Sequence, residues 1–288
     1  MTKNLFGVID VGSNSVRLML NDGCKTLSKT VKTTRLAQGM VDGFLHTDAI
    51  ERTACAVYFF YEQAKKSGAN VVYVFATAGV RSAKNGEVFV SRVKETCGAN
   101  VDVVSGEVEA ELGYKGALGD KDGGVIDVGG ASTEIIVCKN NTKIYGKSIY
   151  LGAVKTTDSC GQDYMFASQF VKQKLNEFGE IPRSNFYAIG GTATSIASML
   201  LELKEYDAEK VDGYEITLSN LSGLTKKLYS LTIEQRRLLV GLQPDRAEVI
   251  ANGALILLEI MKKLNVDTLK VSESDNLEGY LMIKRNDL

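Results

Sequence analysis

Two segments of this 288-residue chain carry acidic, hydroxyl and glycine residues at the same spacing. Residues 7–20 read GVIDVGSNSVRLML, and residues 124–137 read GVIDVGGASTEIIV. Aligned without a gap, Gly7 on Gly124, the first six residues are identical and Ser15 falls on Ser132. Each copy is an apolar, β-branched run holding an aspartate (Asp10 or Asp127), then a glycine turn, then a second apolar run. That order predicts a strand, a tight loop and an antiparallel strand. Glycine lets backbone N–H groups approach an anion, and serine and threonine hydroxyls add donors. Gly12, Ser13, Asn14 and Ser15, and in the second copy Gly129, Gly130, Ala131 and Ser132, are therefore candidate phosphate-binding residues. Two such loops, one per half, suggest two related lobes gripping a phosphate chain.

The copies differ in charge. Arg17 in the first is matched by Glu134 in the second. The first loop thus offers Asp10 with a cation, and Asp10 and Arg17 join the candidate phosphate-binding set. The second loop offers two carboxylates, Asp127 and Glu134. A carboxylate pair facing phosphate repels it unless a divalent cation sits between them. Mg²⁺ takes hard oxygen ligands together with substrate phosphates. Asp127 and Glu134 are therefore the candidate ligands of Mg²⁺ or another divalent cation. The plainer alternative is a duplicated β-hairpin bearing two solvated charges. A third glycine element, IGGTATS (189–195), ends a strand and opens a helix. Gly190 and Gly191 would let a ligand approach, and Thr192 can cap the helix. Such Gly-Gly turns can also serve packing alone, so both readings stand.

These residues need elements to position them. The first half reads as strands 5–10, 15–21 and 25–32, a helix 48–66, a buried strand 71–79, a helix 86–96, a strand 101–104 and a helix 107–118. Residues 119–123 (GDKDG) read as a polar hinge. The second half restarts the order, with strands 124–128, 132–138 and 142–149 and helices 153–159 and 165–178. A strand 186–191, helices 192–203, 217–229, 232–239 and 245–263, a strand 268–272 and a helix 276–285 complete it. Three antiparallel strands, a helix, then parallel strands with crossover helices occur in both halves. The expected fold is α/β, a duplicated ββαβα-type core in two lobes, 1–120 and 121–288, with the ligand in an interlobe cleft.

Composition narrows the function classes. The chain is 44% hydrophobic and 24% charged, as a soluble globular protein with a sizeable core is. A net charge of −1 gives no footprint of a nucleic-acid binder. No run of 18 apolar residues is present, so no membrane span is expected. The N-terminus lacks a signal-peptide pattern, which leads to the expectation of a cytoplasmic protein. Five cysteines, never in CxxC spacing, argue against a disulfide framework or zinc site. The single histidine, His46, lies in a polar turn with no nucleophile elbow nearby. A metal site of several histidines cannot be built, and a Ser-His-Asp triad is poorly supported.

The two DVGS/DVGG loops and the GGTATS turn resemble those of the actin–sugar kinase–heat-shock superfamily. Within it, the chain resembles the exopolyphosphatase / guanosine pentaphosphate phosphohydrolase (Ppx/GppA) family, in its short two-domain form. IDVGSNSVRLML (9–20), ATAGVRSAKN (76–85), SGEVEAELGY (105–114), IDVGGASTEI (126–135) and LQPDRAEVIANGALIL (242–257) carry the resemblance in order. It implies two actin-like, ribonuclease H-like lobes and Mg²⁺-assisted hydrolysis of terminal phosphate from polyphosphate or from pppGpp. It places the catalytic glutamate of an SGxEEA motif on Glu109, with Val108 replacing the first acid. It places the metal-binding acids on Asp127 and Glu134, the AT-x-x-x-R arginine on Arg81 and the GSNS loop on Gly12 to Ser15. The family's GLREG pattern reads Asn276-Leu277-Glu278-Gly279, without its arginine.

The residues' own chemistry supports the transfer. Glu109 sits near a helix start opened by Ser105-Gly106, where a cap and the helix dipole favour an ionised carboxylate. A general base for water attack needs such a carboxylate. The alternative is an acidic helix face of Glu107, Glu109 and Glu111. Arg81 follows a buried strand and can fork two phosphate oxygens, or else make a helix-terminal salt bridge. Expected partners are inorganic polyphosphate or guanosine penta- or tetraphosphate, with no nucleic acid and no membrane. The oligomeric state stays open, a homodimer included. Two rivals stand beside hydrolysis: an ATP-dependent small-molecule kinase of the same superfamily, and a non-catalytic (p)ppGpp-binding sensor.

Overall fold

The computed structural model describes residues 4–286. The chain divides into two compact units, one running up to Glu109 and resuming at Tyr280, the other spanning Ala110–Gly279. The chain passes between them inside two helices, and residues 119–123 lie within the second unit.

The first unit opens with β1 (Phe6–Val11), β2 (Ser15–Asn21) and β3 (Thr26–Thr33), followed by α1 (Thr47–Lys66), β4 (Val71–Ala76), α2 (Ala78–Arg81), α3 (Gly86–Cys97), β5 (Val101–Val103) and the start of α4 (Gly106–Leu118). Its sheet has the order β3-β2-β1-β4-β5. The first three strands are antiparallel, and β4 and β5 run parallel to β1. Alternation splits β1 between two faces. Ile9 and Val11 join a core with Ile50, Val57 and Phe60 of α1 and Phe89 of α3. Asp10 is left on the opposite face.

The second unit repeats the plan. It holds β6 (Gly123–Val128), β7 (Thr133–Lys139), β8 (Thr142–Ile149), α5 (Ala153–Cys160), α6 (Tyr164–Leu175), β9 (Phe186–Ile189) and α7 (Gly190–Leu200). It continues with α8 (Ala208–Val211), β10 (Glu215–Thr217), α9 (Leu218–Ser230), α10 (Ile233–Arg236), α11 (Ile250–Leu264), β11 (Thr268–Val271) and α12 (Asn276–Asn286). The sheet order is β10-β11-β9-β6-β7-β8. Strands β6, β9 and β11 are parallel; β7 and β8 form the antiparallel meander. Ile126, Val128 and Ile135 pack on α7 and on α11, whose residues Ile250 to Met261 are all buried. Val125, Ile136 and Cys138 face the other way, against Ala110, Tyr114 and Leu118 of α4. The mixed α/β, duplicated architecture is the one the sequence led us to expect.

Several boundaries differ from the sequence reading. The strand expected to reach residue 79 stops at Ala76, because the short α2 starts at Ala78, with Thr77 at its N-cap position. The strand expected to reach 191 stops at Ile189, and α7 begins at Gly190. The helix expected over 245–263 starts at Ile250, after a 3₁₀ turn at Pro244–Arg246. Strand β10 and helix α8 were not anticipated. All five cysteines are free. His46 is exposed and donates from Nε2 to the Gly39 carbonyl at 2.6 Å. Among the described residues, no helix is long and apolar enough to cross a membrane.

Candidate active site

The candidate groups fall into two clusters, one in each unit. In the first unit, the loop between β1 and β2 closes with the Gly12 N–H donating to the Ser15 carbonyl at 3.0 Å. Its carbonyls are tied down from outside. Thr34 and Arg35 N–H groups donate to the Asn14 carbonyl, and Ala37 N–H to that of Ser13. A Cβ on Gly79 would lie 2.9 Å from the Ser13 Cα, so only glycine lets α2 come this close to the loop. Register sets Asp10 opposite Arg17. Arg17 donates to Asp10 Oδ2 from Nε at 3.0 Å and from Nη2 at 2.5 Å. Asp10 is thus engaged by Arg17, an arrangement that orients the guanidinium.

Glu109 lies in the first turn of α4 and is 6% exposed. The helix start is fixed by Ser105, whose hydroxyl accepts from the Val108 N–H at 3.2 Å. Val108, which replaces an acid of the family motif, is exposed. Arg81, at the end of α2, donates from Nη1 to Glu109 Oε2 at 2.7 Å and to the Val104 carbonyl at 2.9 Å. Both bonds use one nitrogen. The guanidinium keeps about a quarter of its side chain exposed, a 24% relative accessibility, and retains further donors for an anion. Burial pushes the Glu109 carboxyl up from its ordinary value; Arg81 draws it down, nearby Asp10 pushes it up again, and the Thr77 hydroxyl lowers it. Desolvation therefore opposes the ionised form that the helix start favours.

In the second unit, the loop between β6 and β7 closes the same way, Gly129 N–H donating to the Ser132 carbonyl at 3.0 Å. Val154 and Lys155 N–H groups hold the Gly130 carbonyl from the start of α5, and Ala153 N–H holds that of Gly129. Ala131 and Ser132 are buried. Register sets Asp127 opposite Glu134, and Glu134 opposite Ser148 on β8. Alternation puts both acids on the α4 face of the sheet, with Val125, Ile136 and Cys138. Glu134 is 2% exposed and accepts from the Ser148 hydroxyl at 2.6 Å. Asp127 Oδ2 accepts from Asn276 Nδ2 at 3.0 Å.

The Gly-Gly-Thr turn sits beside this pair. Gly190 has φ +76, and a Cβ there would lie 2.6 Å from Asp127 Oδ1, so both conformation and space require glycine. Thr192 is buried and donates its hydroxyl to the Val128 carbonyl at 2.7 Å. It locks α7 to β6 where a helix cap was expected. The space over Gly191 is taken by the Arg246 guanidinium, whose Nη2 would lie 2.2 Å from a Cβ.

The donor set suits a hard divalent cation. Like charges directly opposite across a strand pair are unfavourable. Among the donors to the two carboxylates are neutral groups, Ser148 to Glu134 and Asn276 to Asp127, which orient them without adding a positive charge. Among the described residues, no group of three or more His, Cys, Asp or Glu is placed to hold a metal. A two-carboxylate site completed by water and phosphate oxygens is the form Mg²⁺ takes.

Sequence reasoning missed four members of these clusters. Thr77 lies in the ATAGVRS segment and Arg246 in LQPDRAEVI, where residue type and spacing alone mark no role for either. Ser148 becomes visible only through strand register. Asn276 becomes visible only through packing.

Duplicated sheets with the order 3-2-1-4-5, glycine loops at matching turns and a carboxylate pair define the class: a phosphate-handling protein of actin-like architecture. The sequence profile described as the Ppx/GppA phosphatase family matches residues 15–285, and the chain belongs to that family. It is 28% identical over 308 residues to Exopolyphosphatase 2 of Mycobacterium tuberculosis, covering 95% of this chain and 96% of that one. It is 28% identical over 295 residues to the guanosine-5'-triphosphate,3'-diphosphate pyrophosphatase of Pseudoalteromonas translucida, covering 97% of this chain and 59% of that one. The crystal structure of the Aquifex aeolicus Ppx/GppA family member superposes with a TM-score of 0.80 at 26% identity, covering 99% of this chain and 98% of that one.

Proposed function

We propose that this chain releases the terminal phosphate from inorganic polyphosphate or from guanosine pentaphosphate by in-line attack of water. The observation that carries the reading is the buried Glu109 carboxylate, held by Arg81 beside the first glycine loop. A carboxylate whose proton affinity is raised by burial is a better base near neutral pH than an exposed one. The relatives named above support the substrate class.

Glu109 orients the water and takes its proton as oxygen attacks the terminal phosphorus. The phosphoanhydride bond then breaks, and its electron pair leaves with the shortened chain. The remaining Arg81 donors and the N–H groups of the first loop favour the charge spread over the transferring oxygens. The second loop, from Gly129 to Ser132, offers a further set of N–H and hydroxyl donors. Asp127 and Glu134 would hold the divalent cation, which supplies charge neutralisation for the leaving phosphate.

The test is phosphate release from long polyphosphate, tripolyphosphate, pppGpp and ATP, with and without Mg²⁺. Mg²⁺-dependent release from polyphosphate or pppGpp is expected. Transfer of phosphate to a co-substrate would favour the kinase reading. Tight ppGpp binding with no turnover of any phosphate chain would favour the sensor.

A further inference from the structure

Asn276 is the first residue of α12 and lies at a place where this chain departs from the GLREG pattern. Its backbone is fixed by a reciprocal cap. Leu277 N–H donates to Asp275 Oδ1, and Asp275 N–H donates to Glu278 Oε2, both at 3.0 Å. The preceding turn is anchored by Ser272 N–H, which donates to the Ala188 carbonyl at the end of β9. The side chain is 3% exposed, so the cap and the surrounding packing leave it little freedom.

From there Nδ2 donates to Asp127 Oδ2 at 3.0 Å. The other end of the amide has no hydrogen-bond partner among the described residues; Oδ1 is buried against Gly113 of α4. A buried acceptor without a donor is destabilising. Packing alone would favour an apolar side chain of the same size here. Among the described residues, the polar bond its side chain makes is to an acid of the candidate cation pair, on the carboxylate oxygen other than the one beside Gly190.

The first unit shows what a charged donor does at the equivalent aspartate. Arg17 places two bonds on Asp10 Oδ2 and sets a full positive charge beside it. Asn276 offers orientation without that charge.

We propose that Asn276 is the positioning residue of the cation site: its amide fixes the rotation of Asp127, aims Oδ1 at the ligand side and leaves the carboxylate charge intact for a divalent cation. This rests on the reading of Asp127 and Glu134 as the cation-holding pair. Partners that orient a metal ligand in this way are typically worth 10–100-fold in metal affinity or activity.

The test uses the full chain and Mn²⁺ alone, with binding read from the electron paramagnetic resonance signal of free Mn²⁺. Asn276→Leu, close in size, should weaken Mn²⁺ binding by about tenfold. Its unfolding midpoint in chelator should stay level or rise, since the unpaired Oδ1 is removed. Asn276→Ser, whose hydroxyl stops short of Asp127, should show the same weakening and serves if the leucine variant does not fold. Equal Mn²⁺ affinity in the wild type and a folded variant overturns the role of Asn276 and leaves the cation pair standing. No Mn²⁺ binding by the wild type overturns both.

Discussion

Asp127 stands directly opposite Glu134 across β6 and β7, at the register position where the first unit sets Asp10 against Arg17. One duplicated hairpin therefore carries an ion pair and the other a carboxylate pair. The backbone turn is the same in both, Gly N–H to Ser carbonyl at 3.0 Å. The change is in the side chains and their supports. Arg17 faces Val31 on its outer side, whereas Glu134 faces Ser148, which donates to it. The two hairpins thus differ in charge at matching positions: Arg17 pairs with Asp10 in one, and Glu134 stands beside Asp127 in the other.

Removing half of that charge should weaken the hold on the metal. Asp127→Asn or Glu134→Gln is expected to raise the Mg²⁺ concentration giving half-maximal phosphate release, by about tenfold or more. Titrating Mg²⁺ into each variant at saturating substrate measures it. Full wild-type activity in excess chelator would sink the idea that a divalent cation takes part.

A sharper test converts one hairpin into the other. Glu134→Arg restores the acid–arginine pairing of the first copy at the same register position. The replacement relieves the like-charge juxtaposition with Asp127, and cross-strand pairs of opposite charge are worth about 0.2–1 kcal/mol. The variant is expected to stay folded in chelator and to lose Mn²⁺ binding and phosphate release together. Retained Mn²⁺ affinity would show that the cation does not sit on this pair.

Glu109→Gln keeps the size of the side chain and removes its basicity. The amide still reaches Arg81 through its oxygen, so polyphosphate binding should change little. The turnover number should fall by about 10²-fold or more, the usual scale for a general base. Single-turnover phosphate release with saturating enzyme separates the chemical step from binding. Near-wild-type release would remove Glu109 from the proposed role.

Much of this site could be read from the sequence because alternation is a local property. An aspartate inside an apolar strand must lie on one face, and its cross-strand partner on the next strand follows from the tight turn. The match between the two copies singles out Asp10, Arg17, Asp127 and Glu134, and the register sets each pair opposite one another. It could not locate Ser148, whose place depends on a β7–β8 register that shifts near Val137. Nor could it locate Asn276, which reaches Asp127 from 149 residues away. Strand β10 was invisible because only Ile216 of its three residues is buried. The start of α7 was misplaced because Gly190 has a positive φ that periodicity does not encode. The burial of Glu109 could not be read for a related reason: the helix start is local, whereas burial, which raises the carboxyl, is set by the whole unit.

That burial gives a pH signature. Desolvation raises the Glu109 carboxyl above its ordinary value, about 4.3, and Arg81 opposes the rise. As a base the group works when ionised, so kcat/KM should climb with pH through its folded-state value. Arg81→Met removes an influence that lowers this value, so the rising limb should move to higher pH. Arg81→Lys, which keeps a positive charge, should move it less. Stability should show the same group from the other side. Between the ordinary and the raised value the folded chain binds more protons than the unfolded one. Stability from this carboxyl is therefore present below the ordinary value and is lost as pH rises through the folded value. Glu109→Gln cannot titrate, so the wild type should lose stability relative to this variant across that window and level off above it. Urea unfolding of both proteins in steps of pH measures the difference. A pH-independent difference, with a rising limb unmoved by Arg81→Met, would mean that Glu109 does not titrate in the buried, Arg81-paired environment on which its role as base depends.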